Sequence, residues 1–537
     1  MKRAANLLVV AAILCSTTDT AAQKVSKPNI IFIMTDDHGW QATSAYTDSL
    51  IRTPHIDRLA TEGALMKQAY VTNALCGPSR AVILTGKYSH LNGFKGNREQ
   101  FDGSQQTLPR ILKKEGYQTA IVGKWHLNSN PTGFDYWNIL PGQGNYYNPG
   151  FIKMGKDTVY NGYVTDITTD LALDWLKDHQ QAPFFLMVHQ KAPHRNQMPP
   201  LENLDLFNDR TFTFPETFFD DYRGRPALQR QLNKMAGDLE VDHDSKMRCD
   251  TCTTRDGIKW ARRKYLHEAG RLTPAQQETW HKAYQHEYEA FSRIKTKEEL
   301  RRWQYQRYME DYLRCVKSVD DNVGRLLQYL DENGLAENTI VIYTSDQGVF
   351  LGEHGLFDKR FMYGEAFRTP MLIRYPRGIA PGQRKDQMVM NLDVAPTLLD
   401  FAGVAIPDDM QGASMKPLLA GTAVKNWRDK MYYHYYDKGF GTTAHYGIQT
   451  VRYKLIRFYD PVDAWELYDL EKDPKEMKNL YTDPHYAKVV EELKRALKVL
   501  QVQYKDTEAI AGMQPPKKGG KKPGVKAKKS KAAGKKG

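Results

Sequence analysis

Short apolar runs alternate with longer amphipathic segments along most of the chain. The runs are rich in Ile, Val and Phe and cover residues 29–35, 119–122, 184–188, 339–344 and 371–374. Helical periodicity lies between them, for example over residues 108–115, 164–179 and 305–333. Fully apolar short strands separated by helices are typical of a parallel sheet covered on both faces. The pattern predicts an α/β fold with a large, mostly parallel central sheet and functional residues at the carboxyl ends of its strands.

Two regions depart from this alternation. Residues 221–304 are polar and highly charged, which predicts a helical insertion on the α/β body. From residue 421, four short aromatic runs separated by turns predict a small antiparallel sheet, followed by a helix at residues 485–504. A Lys-, Gly- and Pro-rich tail follows and is predicted to be disordered. The expected organisation is a leader, a main domain with the insertion, a C-terminal subdomain and the tail, at residues 1–22, 23–420, 421–513 and 514–537.

The first 22 residues have the composition of a signal peptide. Lys2 and Arg3 precede a short apolar run at residues 7–14, and small residues at 20–22 allow cleavage. The run is too short to span a bilayer, and no later apolar run is long enough. The protein is therefore expected to be secreted or periplasmic, without a transmembrane segment.

The tail accounts for most of the basic character of the chain. Subtracting its ten lysines and the net +1 of residues 1–22 from the total of +13 leaves +2 for the rest. The body is therefore nearly neutral and has no nucleic-acid-binding character. The tail is expected either to contact polyanions or to act as a solubilising appendage.

The five cysteines do not form a disulfide framework. Cys15 lies in the leader, Cys315 in an apolar helical stretch, and Cys249 and Cys252 form a single CxxC pair. In an oxidising compartment this pair can form a local disulfide. A zinc site would need two further ligands, and the sequence has no second CxxC.

Carboxylates follow two of the predicted strands. Asp36 and Asp37 come after the first strand, and Asp346 and Gln347 after the strand at residues 339–344. Adjacent carboxylates repel each other, so a solvated turn explains either pair alone. If the two strands are neighbours in one parallel sheet, three carboxylates and one amide oxygen converge. Such an all-oxygen set predicts a site for Ca²⁺ or Mg²⁺ rather than zinc.

Cys76 lies between these pairs in the segment Cys76-Gly77-Pro78-Ser79-Arg80, which Thr85-Gly86 follows. Pro78 favours the first turn of a helix, so Cys76 is expected at a helix N-terminus, where the dipole favours negative charge. Arg80, one turn later, can reach back toward it. From the residues alone, Cys76 is either a buried structural cysteine or a nucleophile with a lowered pKa.

This segment resembles the signature of the formylglycine-dependent (type I) sulfatases, in which the cysteine is oxidised to an aldehyde. Further motifs follow in the order of that family: Asp36-Asp37, Gly123-Lys124-Trp125-His126, Ala192-Pro193-His194, Ser345-Asp346-Gln347-Gly348 and Asp358-Lys359-Arg360. The resemblance covers residues 27–505. It implies an alkaline-phosphatase-like sandwich whose catalytic domain is residues 23–420, one bound Ca²⁺, and maturation of the cysteine by a formylglycine-generating enzyme.

The resemblance also implies a role for each matching residue. The implied metal ligands are acidic or amide groups together with the modified cysteine: Asp36, Asp37, Cys76, Asp346 and Gln347. The other implied catalytic residues are Arg80 for the aldehyde hydrate, Lys124 and Lys359 for the sulfate oxygens, and His126 and His194 for proton transfer. Gln347 departs from the family, which often has Asn or His there. Taken singly, each Lys is also explained as a surface charge and each His as a structural residue.

The segments at residues 131–149, 350–355 and 357–363 are similar to bacterial N-acetylglucosamine-6-sulfatases. The first is aromatic and amide-rich, which suits sugar rings, whereas Leu356 stands where those enzymes carry Trp. The expected substrate is a sulfated carbohydrate with a 6-O-sulfate on an N-acetylglucosamine-type sugar. In the C-terminal subdomain, three polar residues are candidates to complete the sugar site: His434, Asp437 and His445.

Other functions remain open at this point. A phosphonate or phosphodiester hydrolase of the same superfamily can share the metal site and the formylglycine. A sulfatase for another sulfated carbohydrate would have the same central motifs. A glycan-binding protein without activity is a third alternative, against which the intact set of motif residues argues.

Overall fold

The computed structural model describes residues 27–247, 258–422 and 424–512. The leader, the Cys249–Cys252 pair and the Lys-rich tail lie outside these residues, so the expectations for them stay predictions. Among the helices that are described, none is both long enough and apolar enough to cross a membrane.

The described residues form sixteen β-strands. In chain order they are β1 (Asn29–Thr35), β2 (Ala64–Tyr70), β3 (Gln118–Lys124), β4 (Tyr136–Leu140), β5 (Gly150–Lys153), β6 (Lys156–Val159), β7 (Phe184–His189), β8 (Thr339–Ser345), β9 (Phe350–Leu351), β10 (Phe357–Asp358), β11 (Met371–Arg374), β12 (Gln383–Met390), β13 (Lys430–Tyr435), β14 (Ala444–Thr450), β15 (Tyr453–Asp460) and β16 (Ala464–Asp469).

The same residues form sixteen α-helices. In chain order they are α1 (Pro54–Thr61), α2 (Cys76–Thr85), α3 (Ser89–Asn92), α4 (Leu108–Lys114), α5 (Val164–His179), α6 (Pro226–Arg230), α7 (Met235–Asp238), α8 (Ile258–Ala269), α9 (Pro274–Ala283), α10 (Gln285–Ser292), α11 (Lys297–Glu332), α12 (Gly364–Phe367), α13 (Val394–Phe401), α14 (Lys416–Leu419), α15 (Ala487–Gln503) and α16 (Thr507–Gly512).

A ten-stranded mixed sheet forms the centre of the molecule, in the order β12-β2-β11-β8-β1-β7-β3-β4-β5-β6. Its middle strands are parallel, with β1 between β7 and β8. Antiparallel pairs occur where β11 joins β2 and β8, and at the edge formed by β4, β5 and β6. The predicted α/β class and the large central sheet are confirmed.

Both faces of this sheet are buried. On β1, Ile30, Phe32 and Met34 belong to one core cluster, whereas Ile31 and Ile33 belong to another. Helices α2, α4 and α13 contribute to the first cluster, and α1, α5 and α11 to the second. Because successive side chains of a strand point to opposite faces, a strand covered on both sides must be apolar throughout. This explains the continuous apolar runs of the sequence.

The C-terminal region forms a separate four-stranded antiparallel sheet in the order β13-β14-β15-β16. Helix α15 packs on it through Val490, Leu493, Leu497 and Leu500, which recur at helical spacing. The antiparallel sheet and the following helix therefore agree with the prediction from the aromatic runs.

The described parts of the polar region, residues 221–247 and 258–304, contain helices α6 to α10 and the start of α11. The helix expected at residues 305–333 begins at Lys297, after a capping box in which Thr296 and Glu299 each accept from the backbone N–H of the other. The helical stretch expected at residues 274–294 is two helices, α9 and α10, which meet at the non-helical Tyr284.

Gly123 allows β3 and β7 to approach closely at the point where the strands end. Its φ is +92°, and a Cβ there would lie 2.0 Å from the carbonyl oxygen of His189. Gly116 offers a matched control, because its φ is +86° but a Cβ would meet nothing within 4 Å. Gly116→Ala should cost only the left-handed strain of about 1–2 kcal/mol. Gly123→Ala should lower the free energy of unfolding by about 1–3 kcal/mol more. Denaturant titration of both variants measures this, and equal losses would contradict the close approach.

Candidate active site

The ends of β1 and β8 bring the predicted carboxylates together. The two strands are paired in parallel up to Thr35 and Ser345, so the residues that follow emerge side by side. Carboxylate oxygens of Asp36, Asp37 and Asp346 lie within 4.8 Å of one another, and all three side chains are buried. The convergence expected from the sequence is therefore present in the fold.

Each of these carboxylates contacts one cationic side chain. The guanidinium of Arg80 donates from Nε and Nη2 to Asp346 Oδ2, at 3.0 and 2.8 Å. Lys124 forms an ion pair with Asp36, and Lys359 Nζ donates to Asp37 Oδ2 at 2.5 Å.

The pKa of Asp37 reflects this crowded environment. Burial raises it to about 6, and although Lys359 opposes the shift, the neighbouring Asp358 and Asp346 add to it. When all three carboxylates are ionised, the repulsion between their buried charges is therefore costly unless a further cation is present.

Gln347 adds an amide group to the cluster. Its Nε2 donates to Asp37 Oδ1 at 2.5 Å and lies 3.6 Å from Cys76 Sγ. Its buried Oε1 has no hydrogen-bond partner among the described residues. A 180° rotation of the Gln347 amide would point this oxygen, instead of the amide nitrogen, toward the carboxylate cluster. The resulting donor set, made of carboxylate and amide oxygens, fits a hard divalent cation.

Cys76 is the first residue of α2, whose ten residues are all buried. Leu75 precedes it in an extended conformation, and the helix ends at Gly86 with a left-handed φ of 64°. The thiol donates to Asp36 Oδ1 at 3.2 Å. Burial raises the pKa of Cys76 to about 12, although Lys359 and Arg80 oppose the shift. The unmodified thiol is therefore neutral, which argues against a cysteine nucleophile with a lowered pKa.

The two predicted histidines follow β3 and β7 and flank the cluster differently. His194 Nε2 lies 3.8 Å from Asp37 Oδ2, and its Nδ1 shares a hydrogen bond with the carbonyl of Arg195 at 2.6 Å. His126 is buried and lines a neighbouring cavity rather than the one above Cys76. Burial and the nearby lysines, Lys124 first, hold the pKa of both imidazoles well below the usual value, so both are neutral.

Two residues at the end of β7 belong to the site although no motif identified them. His189 Nδ1 lies 3.0 Å from the carbonyl oxygen of Lys124 and 3.4 Å from Arg80 Nη1, so it either donates to the carbonyl or accepts from the guanidinium, according to its tautomer. Lys191 lines the cavity that contains Cys76. Their position after a buried strand is the same signal that identified Asp36 and Asp346, and it could have found them.

A cavity of about 360 Å³ opens above Cys76, a size suited to a small ligand. The segments expected to bind sugar supply part of its wall, through Gln143, Gly144, Asp358, Lys359, Arg360 and Asp437. The polar insertion contributes His243 and Glu268, which the sequence did not single out.

Two of the three candidates in the C-terminal subdomain do not reach this cavity. His434 shares a hydrogen bond through Nδ1 with Asp506 Oδ2 at 2.6 Å, and His445 Nδ1 with the carbonyl of Thr443 at 2.7 Å. Both imidazoles are buried and committed to structural contacts. Asp437 is therefore the candidate that the fold places at the site.

Two family models match the chain. The sulfatase model matches residues 28–404, and the model described as N-sulphoglucosamine sulphohydrolase, C-terminal, matches residues 352–503. The first match includes every carboxylate, lysine and histidine of the predicted site, and the second spans the C-terminal sheet.

Individual proteins are similar over most of their length. The N-acetylglucosamine-6-O-sulfatase of Bacteroides thetaiotaomicron is 47% identical over 513 residues, which are 94% of this chain and 91% of that protein. The N-acetylglucosamine-6-sulfatase of Homo sapiens is 28% identical over 78% of this chain and 69% of its own length.

Solved structures give the same result. The structure of BT4656 in complex with its substrate D-glucosamine-2-N,6-O-disulfate matches with a TM-score of 0.86 and 48% identity, over 90% of this chain and 99% of that one. The phosphonate monoester hydrolase of Agrobacterium radiobacter matches with a TM-score of 0.66 and 21% identity, over 89% and 96%. The second likeness shows the fold alone.

A divalent cation should stabilise this protein through the carboxylate cluster. Ca²⁺ or Mg²⁺ added to chelator-treated protein at 100 times its Kd should contribute about 2.7 kcal/mol and raise the Tm. Asp37→Asn should remove most of this shift, because it removes one charged ligand. Asp400→Asn, in α13 and paired with Lys416, is the control and should retain it. Thermal unfolding measures the shifts, and an equal shift in both variants would contradict a cation at the cluster.

Proposed function

Since the chain belongs to the sulfatase family and hydrolyses sulfate esters, we propose that its substrate is a 6-O-sulfate on an N-acetylglucosamine-type sugar of sulfated glycans. The observation that carries this proposal is the meeting of three buried carboxylates, Cys76 and a sugar-sized cavity. It occurs in a chain that closely resembles an N-acetylglucosamine-6-O-sulfatase along almost its whole length.

We propose that the carboxylate cluster holds one Ca²⁺. Its ligands are the oxygens of Asp36, Asp37, Asp346 and Gln347, together with the modified Cys76. The buried, unpartnered Oε1 of Gln347 supports its place in this set despite its longer side chain. When bound, the cation neutralises charge on the sulfate and on the nucleophile.

We also propose that Cys76 is oxidised to formylglycine. An ordinary hydroxyl is a poor nucleophile at neutral pH, and burial raises the pKa of the Cys76 thiol to about 12, so the unmodified thiol is neutral and a poor nucleophile as well. The hydrate of an aldehyde supplies two hydroxyl groups on one carbon, so that one attacks sulfur and loss of a proton from the other releases sulfate. Arg80, one turn along α2 and bonded to Asp346, is placed to hold the hydrate.

The two lysines are proposed to bind the sulfate oxygens. Lys124 and Lys359 are both buried and pair with Asp36 and Asp37. A bound cation would neutralise these carboxylates, so that the ammonium groups of Lys124 and Lys359 could bind an anion instead. Positive groups placed where negative charge develops stabilise the transition state of such a transfer.

The histidines are proposed to move protons. Burial and the nearby lysines keep the imidazole of His126 neutral, and a neutral imidazole can accept the proton of the second hydroxyl group of the hydrate. The departing alcohol takes a proton from Lys359, or from His194 once substrate binding has protonated that imidazole; both side chains lie at Asp37.

Maturation, export and tethering complete the proposal. A formylglycine-generating enzyme is required as a partner to oxidise Cys76. The composition of residues 1–22 supports export, and hence a secreted or periplasmic enzyme. The ten lysines of the tail support contact with sulfated polysaccharide or another polyanion, in which case that contact should weaken with salt.

Replacement of Cys76 should abolish turnover in both simple variants. Cys76→Ala removes the nucleophile, whereas Cys76→Ser leaves a single hydroxyl that can accept the sulfuryl group but cannot re-form an aldehyde. Cys315→Ala is the matched control, because Cys315 is also buried and free but lies in α11. This control should retain activity. Its peptide that contains residue 76 should be lighter than the unmodified peptide by the mass difference between a CH₂SH and a CHO side chain. Activity assays and mass spectrometry measure this, and full turnover by Cys76→Ser would contradict the aldehyde.

Substrate choice should follow the sugar and not the charge of the ester alone. We expect the highest kcat/KM for N-acetylglucosamine-6-sulfate or its N-sulfated form, and a lower value for galactose-6-sulfate. Phosphodiesters and phosphonate monoesters should react more slowly still. Steady-state assays with this panel measure the order. Preference for galactose-6-sulfate would overturn the proposed sugar, and preference for a phosphorus ester would favour the rival hydrolase.

A further inference from the structure

Lys191 is a buried cation in the wall of the cavity above Cys76. Its side chain lies in the loop after β7 and is only 3% exposed, yet it lines the cavity. Its Nζ lies 4.6 Å from the centroid of the Tyr146 ring, a cation–π distance. Among the residues that the structure describes, no hydrogen-bond acceptor or carboxylate pairs with this ammonium. Its three N–H donors therefore face the cavity or the ring without a partner.

The other cations of the site differ from Lys191 in this respect. Arg80, Lys124 and Lys359 each contact a carboxylate of the cluster. The nearest acid on the wall is Glu268, but its Oε1 accepts from Asn145 at 2.8 Å and the structure shows no ion pair with Lys191. A buried ammonium without a partner is unfavourable, because it loses its hydration and gains no hydrogen bond or opposite charge in exchange. Such a cost is offset when an anionic ligand binds.

The surroundings of Lys191 indicate which anion this is. Burial first, and then charges that include that of Lys191, lower the pKa of Lys124 and His194. Burial also lowers the pKa of Lys191 itself, although the charges of Glu268 and Asp37 oppose this shift. Lys191, His194, Lys359 and Cys76 all line the cavity in which the sulfate must lie to be attacked at residue 76. Lys191 is also three residues before His194 and lines the same cavity.

We propose that Lys191 binds the reacting sulfate group of the substrate, donating to a sulfate oxygen in the cavity above Cys76. This rests on the proposed function, since it assigns a third lysine to the same anion as Lys124 and Lys359. Because the Lys191 ammonium has no partner before the substrate binds, it does not have to break an ion pair in order to contact the sulfate. Tyr146 keeps it in place in the absence of substrate.

The neutral variant Lys191→Met separates a binding role from a structural one. Methionine keeps much of the length and the contact with Tyr146 but removes the charge. We expect kcat/KM for N-acetylglucosamine-6-sulfate to fall about 100-fold, as for loss of one donor to a developing anion. We expect the Tm without ligand to rise or stay equal, because an unpaired buried charge is removed.

Inorganic sulfate is the probe for binding itself. It should raise the Tm of the wild-type holoenzyme, and this shift should be mostly lost in Lys191→Met. Lys454→Met is the matched control, because Lys454 is equally buried but pairs with Glu476 at 2.7 Å. That variant should lower the Tm and leave the shift produced by sulfate intact. If Lys191→Met does not fold, Lys191→Gln is measured in the same way.

The outcomes separate this proposal from the one on which it rests. Unchanged kcat/KM and an unchanged sulfate shift in Lys191→Met would overturn the role of Lys191. Loss confined to D-glucosamine-2-N,6-O-disulfate would also overturn it, because Lys191 would then bind a second sulfate rather than the reacting one. If the wild type fails to hydrolyse either 6-sulfated sugar, the proposed substrate fails, while the shift with inorganic sulfate still decides whether Lys191 binds sulfate.

Discussion

The site depends on one electrostatic constraint: three carboxylates are buried together and their charge must be balanced. They meet because β1 and β8 are parallel neighbours whose ends coincide at Thr35 and Ser345. Three cationic side chains balance them, and each comes from a different element: Arg80 from α2, Lys124 from the end of β3 and Lys359 from the segment after β10. Because the pairs are buried, loss of any one partner would leave an uncompensated buried charge, which is costly. The fold therefore places a compact set of charged side chains beside residue 76.

This charge distribution connects the fold to the chemistry. A sulfate ester brings negative charge to a buried position, and a divalent cation brings positive charge to the carboxylates. Under the proposed function, Lys124 and Lys359 would then exchange a carboxylate for a sulfate oxygen, so that the number of buried pairs would be kept. Before substrate binds, burial and the same lysines lower the pKa of His126 and His194, so both imidazoles are neutral.

The sequence predicts the parts of the fold in which local pattern and burial agree. The middle strands are apolar on both faces, so their runs match β1, β7 and β8 closely. Strand β12 was not predicted because its first half is polar and partly exposed, and β6 because it is a polar edge strand. The convergence of Asp36, Asp37 and Asp346 follows from their position at strand ends. The same signal could have found His189 and Lys191 at the end of β7. Glu268 was missed because it lies in the polar insertion, and no local pattern records which residues of the insertion the fold places at the cavity.

The most direct test of this account is a crystal structure of the mature, active protein grown with Ca²⁺, with anomalous diffraction to locate the ion. The account predicts one ion at about 2.3–2.6 Å from oxygens of Asp36, Asp37, Asp346 and Gln347. It also predicts an aldehyde or its hydrate at residue 76 in place of the thiol. An active preparation with an intact thiol at residue 76, or with its ion bound away from these carboxylates, would contradict it.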